Sequence, residues 1–343
     1  MGARGVAVVG VGYWGPNLVR NFESSPEWDL RWVCDLAIER AQAILHPYSP
    51  ARPTTDLDDV LDDPGVEAVA VATPAATHAE IVVRILDAGR HVLVEKPLAA
   101  SVADAEKLVC LADERGLTLM CDHTYCYTPA VQKIRELVAS GALGEIHYVD
   151  SVRINLGLVQ RDINVLWDLA PHDLSILDFV LPPDRSPIGV AAHGADPIGA
   201  GVACVGYLTM PLNGGGIAHV HVNWLSPTKI RTMVLGGSKR TIVWDDLHPT
   251  QRLSVHDRGV DLAVSDVPEQ ERRERMISYR IGDIVAPALT EAEALGGVVR
   301  EFATAVTERR PARTDGRSGL RVVRMLESAS RSLAGDGMIH PLR

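Results

Sequence analysis

The stretch Gly10-Val11-Gly12-Tyr13-Trp14-Gly15 constrains this chain more than any other part of it. It follows the apolar run Val6–Val9 directly and leads into a helix-like stretch around Asn17–Glu23. Glycines at that spacing mean little alone; between a strand and a helix they describe a dinucleotide-binding turn. Gly10 permits the tight turn, Gly12 lets backbone come close to a pyrophosphate, and Gly15 lets helix and strand pack together. The helix N-terminus then offers free N–H groups and partial positive charge to the phosphates. Pro16 suits the first turn, where its missing N–H costs nothing. Asp35 ends the next strand, 20 residues after Gly15, where a carboxylate can accept hydrogen bonds from ribose hydroxyls. Its charge would repel a 2′-phosphate, and Leu36 and Ala37 follow it, so NAD is favoured over NADP. Arg40, one helical turn on, keeps NADP open.

The pattern around this turn repeats. Apolar runs at Val6–Val9, Leu30–Cys34, Val66–Ala72, His91–Glu95 and Leu117–Cys121 alternate with helix-like stretches, two of which end at Gly89 and Gly116. Continuously apolar strands in such an alternation predict a doubly wound parallel sheet covered on both faces. After Thr128 the pattern changes. Helices are expected at Pro129–Ser140 and Asp168–Val180, and strand-like segments then run from Ala203 to Val255. His219, His221 and Asn223 alternate there with Ala218, Val220, Val222 and Trp224, the period-two mark of a sheet polar on one face. Short turns between consecutive strands predict a mostly antiparallel open sheet in an α+β domain. Two helices, about Glu291–Glu308 and Leu320–Leu333, close the chain, and the charge-dense Glu269–Arg280 reads as a solvated surface segment. The expected division is a Rossmann domain over 1–123 and a substrate-binding and oligomerisation domain over 124–343.

Composition limits the partners. At 343 residues with 46% hydrophobic content, the chain can fill two cores, and disorder throughout is excluded. The 44 acidic residues against 34 basic ones argue against nucleic acid. No apolar run is long enough to span a bilayer, and the first residues lack a signal-peptide cleavage site. Five scattered cysteines with no CxxC point to free thiols in a reducing compartment, hence a cytoplasmic protein. Cys121, His123 and Cys126 match no common zinc spacing, and no metal is expected.

Three further motifs carry chemistry. Thr73-Pro74, at a strand's carboxyl end, could line a cofactor cleft or be only a strand-to-helix turn. Glu95-Lys96-Pro97 places one of just five lysines at the carboxyl end of the next strand. An ammonium there can stabilise a developing alkoxide; otherwise the two charges are a surface pair worth little. Asp168 and His172, four apart, share one face of a helix at about 5–6 Å. A histidine with an ordinary pKa of about 6.5 can pass a proton at neutral pH with a carboxylate to orient it. The same spacing also fits a helix cap at Asp168 and a packed histidine.

Together, GVGYWG, VATPAATH, EKPL and DLAPHD resemble the glucose–fructose oxidoreductase/inositol dehydrogenase (Gfo/Idh/MocA) family. The similarity continues through KIRTMVLGGSKRTIVWDD, YRIGD and TDGRSGLRVVRMLESASRSL, covering essentially the whole chain. The resemblance implies an NAD(P)-dependent oxidoreductase that moves a hydride between nicotinamide and a secondary alcohol or ketone of a sugar, nucleotide sugar or cyclitol. It implies Lys96, His172 and Asp168 as the catalytic set. It implies cofactor contacts from Gly10, Gly12, Tyr13, Trp14, Gly15 and Asp35, and from Thr73, Pro74, His78, Glu95 and Lys96. It also implies a homodimer or homotetramer formed through the C-terminal sheet. INVLWDLAPHDLSIL is most similar to members acting on nucleotide-linked hexoses and amino sugars. Where many members carry a GFNRRF-like stretch, this chain reads Cys121-Asp122-His123-Thr124-Tyr125-Cys126-Tyr127, residues the resemblance places beside nicotinamide and substrate. Two other roles suit the same motifs: transient oxidation by tightly bound NAD during glycoside cleavage or elimination, and non-catalytic nucleotide sensing. A sensor has no need of Lys96, Asp168 and His172.

Overall fold

The computed structural model of the chain describes residues 2–160, 163–262 and 277–342, so the expected surface segment Glu269–Arg280 lies outside them as far as residue 276. In chain order the elements are β1 (Arg4–Val9), α1 (Gly15–Glu23), β2 (Trp28–Cys34), α2 (Ile38–Ile44), β3 (Arg52–Thr54), α3 (Leu57–Leu61) and β4 (Ala68–Val71). Next come α4 (Ala75–Asp87), β5 (His91–Glu95), α5 (Val102–Arg115), β6 (Leu119–Asp122), α6 (Pro129–Ala139), β7 (Ile146–Leu156) and α7 (Val165–Val180). Then follow β8 (Gly189–Ala195), β9 (Val205–Pro211), β10 (Ile217–Asn223), β11 (Leu225–Gly237), β12 (Thr241–Asp245), β13 (Leu253–Leu262) and β14 (Ile277–Val285). Helices α8 (Ala294–Glu308) and α9 (Gly316–Ala334) and the short β15 (His340–Pro341) complete it.

Two compact units divide the chain: Met1–Thr128 with Glu291–Glu327, and Pro129–Thr290 with Ser328–Arg343. The single expected boundary at 123/124 therefore differs from the structure, because residues 291–327 pack in the first unit. The reason is aromatic. The Trp28 ring stacks on Phe302 of α8 at 5.1 Å and meets Phe22 edge-on at 5.7 Å. Its indole N–H donates to the Val299 carbonyl at 3.0 Å. Burying three large rings stabilises that contact by several kcal/mol, on the order of 2 per ring, which outweighs sequence order.

The first unit holds a six-stranded parallel sheet in the order β3-β2-β1-β4-β5-β6. This is the doubly wound dinucleotide-binding order, with its switch point between β1 and β4. β4 and β6 are buried at every residue, as strands covered on both faces must be. Helix α5 shows how local chemistry sets an element's ends. The Ser101 hydroxyl caps the Asp104 N–H at 3.1 Å, and Gly116 closes the helix in the left-handed region at φ +64°.

The second unit holds a nine-stranded sheet in the order β14-β13-β12-β11-β7-β10-β9-β8-β15. Every pairing is antiparallel except that of β7 with β10. Ala218, Val220 and Val222 are buried while His219 is exposed, as the alternation predicts. Two differences from expectation stand out here. Strand β7, central to the sheet, was not anticipated, and α7 begins at Val165 with Asn164 as its cap. Among the described residues, no helix is long and apolar enough to cross a membrane.

Candidate functional site

The carboxyl edge of the first unit's sheet is built around the glycine turn. Gly10 sits at φ +89°, and a Cβ there would lie 2.8 Å from the Ala72 carbonyl on β4's far end. A Cβ at Gly15 would lie 2.2 Å from the Gly10 oxygen. At Gly12 it would meet nothing within 4 Å among the described residues, so the backbone there is open to a ligand's close approach. Helix α1 starts with Pro16 in its first turn, with no side-chain cap and no acidic residue. Its first N–H groups thus remain suited to an anion.

Asp35, at the end of β2, is nine-tenths buried. Its Oδ2 accepts the Val11 N–H at 2.8 Å and its Oδ1 the Ala37 N–H at 2.9 Å. Each oxygen keeps a further lone pair for a ribose hydroxyl. The exposed Arg40 guanidinium comes to 4.0 Å from Oδ1, a distance at which a solvated pair contributes little. Tyr13 and Leu36, in the turns after β1 and β2, are 94% and 96% exposed, apolar surface that a bound planar base would cover. An open glycine, free helix N–H groups and a fixed carboxylate fit a dinucleotide.

The next two strand ends meet at His78, expected from the resemblance to contact the cofactor. His78 is fully buried; Nδ1 lies 2.9 Å from the Pro97 carbonyl and Nε2 lies 2.8 Å from the Thr73 carbonyl. Burial lowers its pKa, against the raising effect of those carbonyls. A neutral ring carries a single N–H, so it donates to one of these two carbonyls and braces the turn after β4 or the turn after β5. Thr73 and Pro74 do stand at the carboxyl edge, Pro74 at the cap position of α4 and the Thr73 hydroxyl 2.8 Å from that of Thr77.

Glu95 ends β5, and a cis peptide links Lys96 to Pro97. Glu95 is in register with Asp122, the last residue of β6. Asp122 accepts the Trp14 indole N–H at 3.2 Å and the Thr124 hydroxyl at 2.7 Å. The Gly10–Gly15 turn is thereby anchored to the strand two places beyond its neighbour β4. Glu95 Oε2 and both ring nitrogens of His123 are enclosed and meet no hydrogen-bond partner among the described residues. Burial, and then the Lys96 charge, hold the His123 pKa down at about 3, so the ring is neutral. In the sequence, residues 121–127 stood out as a departure from family pattern and, at Cys121, His123 and Cys126, as a spacing that fits no common zinc site. The link from Asp122 to Trp14 spans 108 positions and leaves no local signal.

In the second unit, the Asn164 side chain accepts the Leu166 and Trp167 N–H groups at 3.0 and 3.2 Å and starts α7. Asp168 is therefore not the cap. It lies inside the helix, where its Oδ2 accepts the Trp224 indole N–H at 2.9 Å. His172 follows one turn later, half-buried. Asp173 beside it is buried and takes a fork from Arg153 at 2.7 and 3.1 Å plus the Ser151 hydroxyl at 2.8 Å. Such an enclosed pair fixes how α7 is rotated against β7, and losing one partner would strand a buried charge. Neither Trp224 nor the Arg153–Asp173 pair was anticipated, since both depend on contacts 20 or more residues apart.

Comparison with known proteins agrees with this geometry. Residues 4–123 match the family model described as the Gfo/Idh/MocA oxidoreductase family with an NAD-binding Rossmann fold. Residues 131–243 match the Gfo/Idh/MocA C-terminal domain. The chain is 27% identical over 317 residues to UDP-N-acetylglucosamine 3-dehydrogenase of Acidithiobacillus ferrooxidans, covering 92% of this chain and 93% of that one. It is 37% identical over 171 residues to dTDP-3,4-didehydro-2,6-dideoxy-alpha-D-glucose 3-reductase of Streptomyces violaceoruber, covering 47% and 49%. Among solved structures, GenD2 from gentamicin A biosynthesis, in complex with NAD, superposes with a TM-score of 0.82 at 29% identity over 100% of this chain and 97% of that one. With an NAD-binding turn in one unit, the family's C-terminal sheet in the other, and both halves matched, the chain belongs to the Gfo/Idh/MocA family of oxidoreductases.

Proposed function

We propose that this oxidoreductase takes NAD in preference to NADP and acts on a secondary alcohol or ketone of a sugar, with a nucleotide-linked hexose or amino sugar favoured over a free sugar or cyclitol. The observation that carries the reading is the Asp35 carboxylate, held by the Val11 and Ala37 N–H groups beside the open Gly12 turn. The names of the Acidithiobacillus and Streptomyces relatives, both acting at position 3 of a nucleotide-linked sugar, support the substrate class.

In this proposal Gly10, Gly12 and Gly15, with the first turn of α1, would hold the pyrophosphate, Asp35 the adenosine ribose, and Tyr13 and Leu36 would cover the base. Trp14, Thr73, Pro74, Glu95 and Lys96 belong to the nicotinamide end. When bound, the nicotinamide supplies the hydride acceptor or donor. Lys96 holds its ammonium at the substrate oxygen and stabilises the negative charge that develops there as the C–H bond breaks. His172 accepts the hydroxyl proton in oxidation and returns it in reduction, and Asp168, fixed by Trp224, orients it. Because these steps run in either direction, the substrate available decides whether alcohol or ketone is consumed.

We place the protein in the cytoplasm as a homodimer or homotetramer. Its five cysteines are free, and the outer face of the second unit's sheet leaves Tyr207 and Ile217 50% and 40% exposed. A panel of nucleotide sugars, free sugars and inositols, followed by NADH absorbance, tests the reading. NAD reduction by a nucleotide-linked hexose supports it; turnover confined to inositols, or only with NADP, refutes it.

A further inference from the structure

Helix α7 carries both residues of the proposed proton step, and it carries a proline between them. Asp168 and His172 lie one turn apart, and Pro171 sits inside the helix directly before His172. Proline has no N–H to give the Trp167 carbonyl, so the ladder of α7 lacks a rung between the two side chains. A helix bends or opens most easily at such a point. The spacing of Asp168 and His172 is therefore not secured by α7 alone. Contacts from β7 and from the end of β10 hold each side of the gap.

On the near side, the Trp224 indole N–H donates to Asp168 Oδ2 at 2.9 Å. Trp224 is fixed by its own surroundings. It is 1% exposed, its backbone N–H donates to the Cys204 carbonyl at 3.0 Å, and its carbonyl accepts the Gly157 N–H at 2.8 Å. A Cβ at position 157 would lie 2.9 Å from the indole ring, so a glycine there lets the ring lie where it does. On the far side, Asp173 takes the Arg153 fork at 2.7 and 3.1 Å and the Ser151 hydroxyl at 2.8 Å. All three are buried, and Arg153 and Ser151 belong to β7, which lies between β10 and β11. At about 100° per residue, turning Asp173 onto β7 puts Asp168 and His172 about 140° and 100° around the helix, on the same side.

The chemistry of the far clamp points to placement. A buried ion pair is a weak source of stability, since apolar side chains of similar volume often do as well or better. What a planar fork adds is direction. With side-chain tips about 6 Å from a helix axis, a turn of about 10° moves them by about 1 Å, and a reacting group misplaced that far can lower a rate by about 100-fold.

We propose that Trp224 and the Arg153–Asp173 pair are positioning residues, two clamps on either side of Pro171 that set His172 against Asp168. Their importance for turnover rests on the proton-transfer role proposed for Asp168 and His172; the clamping of α7 does not.

The test uses the full chain with two variants. Trp224→Phe keeps a buried ring and loses the N–H, and Arg153→Met/Asp173→Leu removes both charges of the pair together. The first readout, a crystal structure of each variant beside the parent, needs no substrate. The double variant should fold with α7 turned and His172 displaced by about 1 Å or more relative to β7. An unmoved α7 in both variants overturns the clamps. The second readout is turnover. Each variant should keep its NAD dissociation constant within about twofold, shift its pH profile and lose kcat, by at least ~10-fold for Trp224→Phe and ~100-fold for the double variant. A kcat within about threefold of the parent's, with an unmoved profile, makes these contacts merely structural and overturns the positioning role. Should the double variant not fold, Arg153→Lys, which keeps the cation and loses the fork, takes its place with the same two readouts. A parent protein that oxidises no sugar, with α7 displaced in the variants, overturns the proposed activity and leaves the clamps standing.

Discussion

Replacing Asp35 by Asn tests how the chain chooses its cofactor. The amide keeps the shape of the side chain and one carbonyl oxygen, so one of the Val11 and Ala37 N–H groups, now at 2.8 and 2.9 Å, retains an acceptor. What goes is the charge. Hydrogen bonds from ribose hydroxyls to an ionised acceptor contribute about 1.5–3 kcal/mol each, and a neutral acceptor keeps about half of that. Across two hydroxyls the loss is ~1.5–3 kcal/mol, or about 10- to 100-fold in the NAD dissociation constant. For NADP the same change removes a repulsion. A carboxylate and a phosphate charge about 4 Å apart near a protein surface oppose each other by up to ~4 kcal/mol. NADP should therefore bind more tightly, helped by Arg40, which stands 4.0 Å from Asp35. Calorimetric titration of both cofactors into parent and variant, with melting curves to confirm an intact fold, measures the ratio directly. An unaltered NAD to NADP ratio in a folded variant would refute the assignment of Asp35 to the ribose.

His172→Ala should lower kcat by about 10²–10⁴, the span for losing a general base, and leave cofactor affinity nearly unchanged; near-full turnover would move the proton to another group. Lys96→Met keeps volume and removes charge, so kcat should fall by at least ~10² with folding intact, and Lys96→Arg should not restore it because a planar guanidinium does not fit an ammonium's place. If Lys96→Met instead weakens NAD binding while turnover persists at saturating cofactor, the lysine anchors the cofactor. Acid should destabilise the first unit: burial lowers the pKa values of His78, His91 and His123, the last to about 3, so the unfolded chain binds protons below its ordinary ~6.5 that the fold refuses. Stability is then full above ~6.5 and falls as the pH drops toward 3, each histidine steepening the loss by up to about 1.4 kcal/mol per pH unit. Melting temperatures followed down the pH scale should fall less steeply in His123→Phe; identical slopes would contradict it.

What the chain reveals by itself is what is settled locally. The glycine turn was legible because three backbone positions and one following helix determine it, and the parallel sheet because β1, β4 and β5 are continuously apolar. Strand β7 was not legible. Its inward face carries Ser151 and Arg153, which interrupt any apolar alternation and become acceptable in a core only through Asp173, 20 residues further on. The burial of His78 was not legible for the same reason: a position in a motif does not disclose that its ring lies between the Thr73 and Pro97 carbonyls. Helix α8 was assigned to the second domain by its place in the sequence, whereas the Trp28–Phe302 stack puts it in the first unit. Asp122 drew notice as part of a departure from family pattern, and its bond to Trp14, 108 positions away, was not legible.

The central claim is net hydride transfer between a sugar carbon and NAD. Offer the enzyme a nucleotide-linked hexose that turns over, deuterated at the carbinol carbon, and weigh the nicotinamide product by mass spectrometry. The account predicts one deuterium in the reduced cofactor for each keto sugar formed, with a slower rate than the undeuterated sugar gives when the C–H bond limits turnover. Product that forms with the deuterium back on the sugar, and with no accumulation of reduced cofactor, would contradict it and assign the same residues to a transient oxidation.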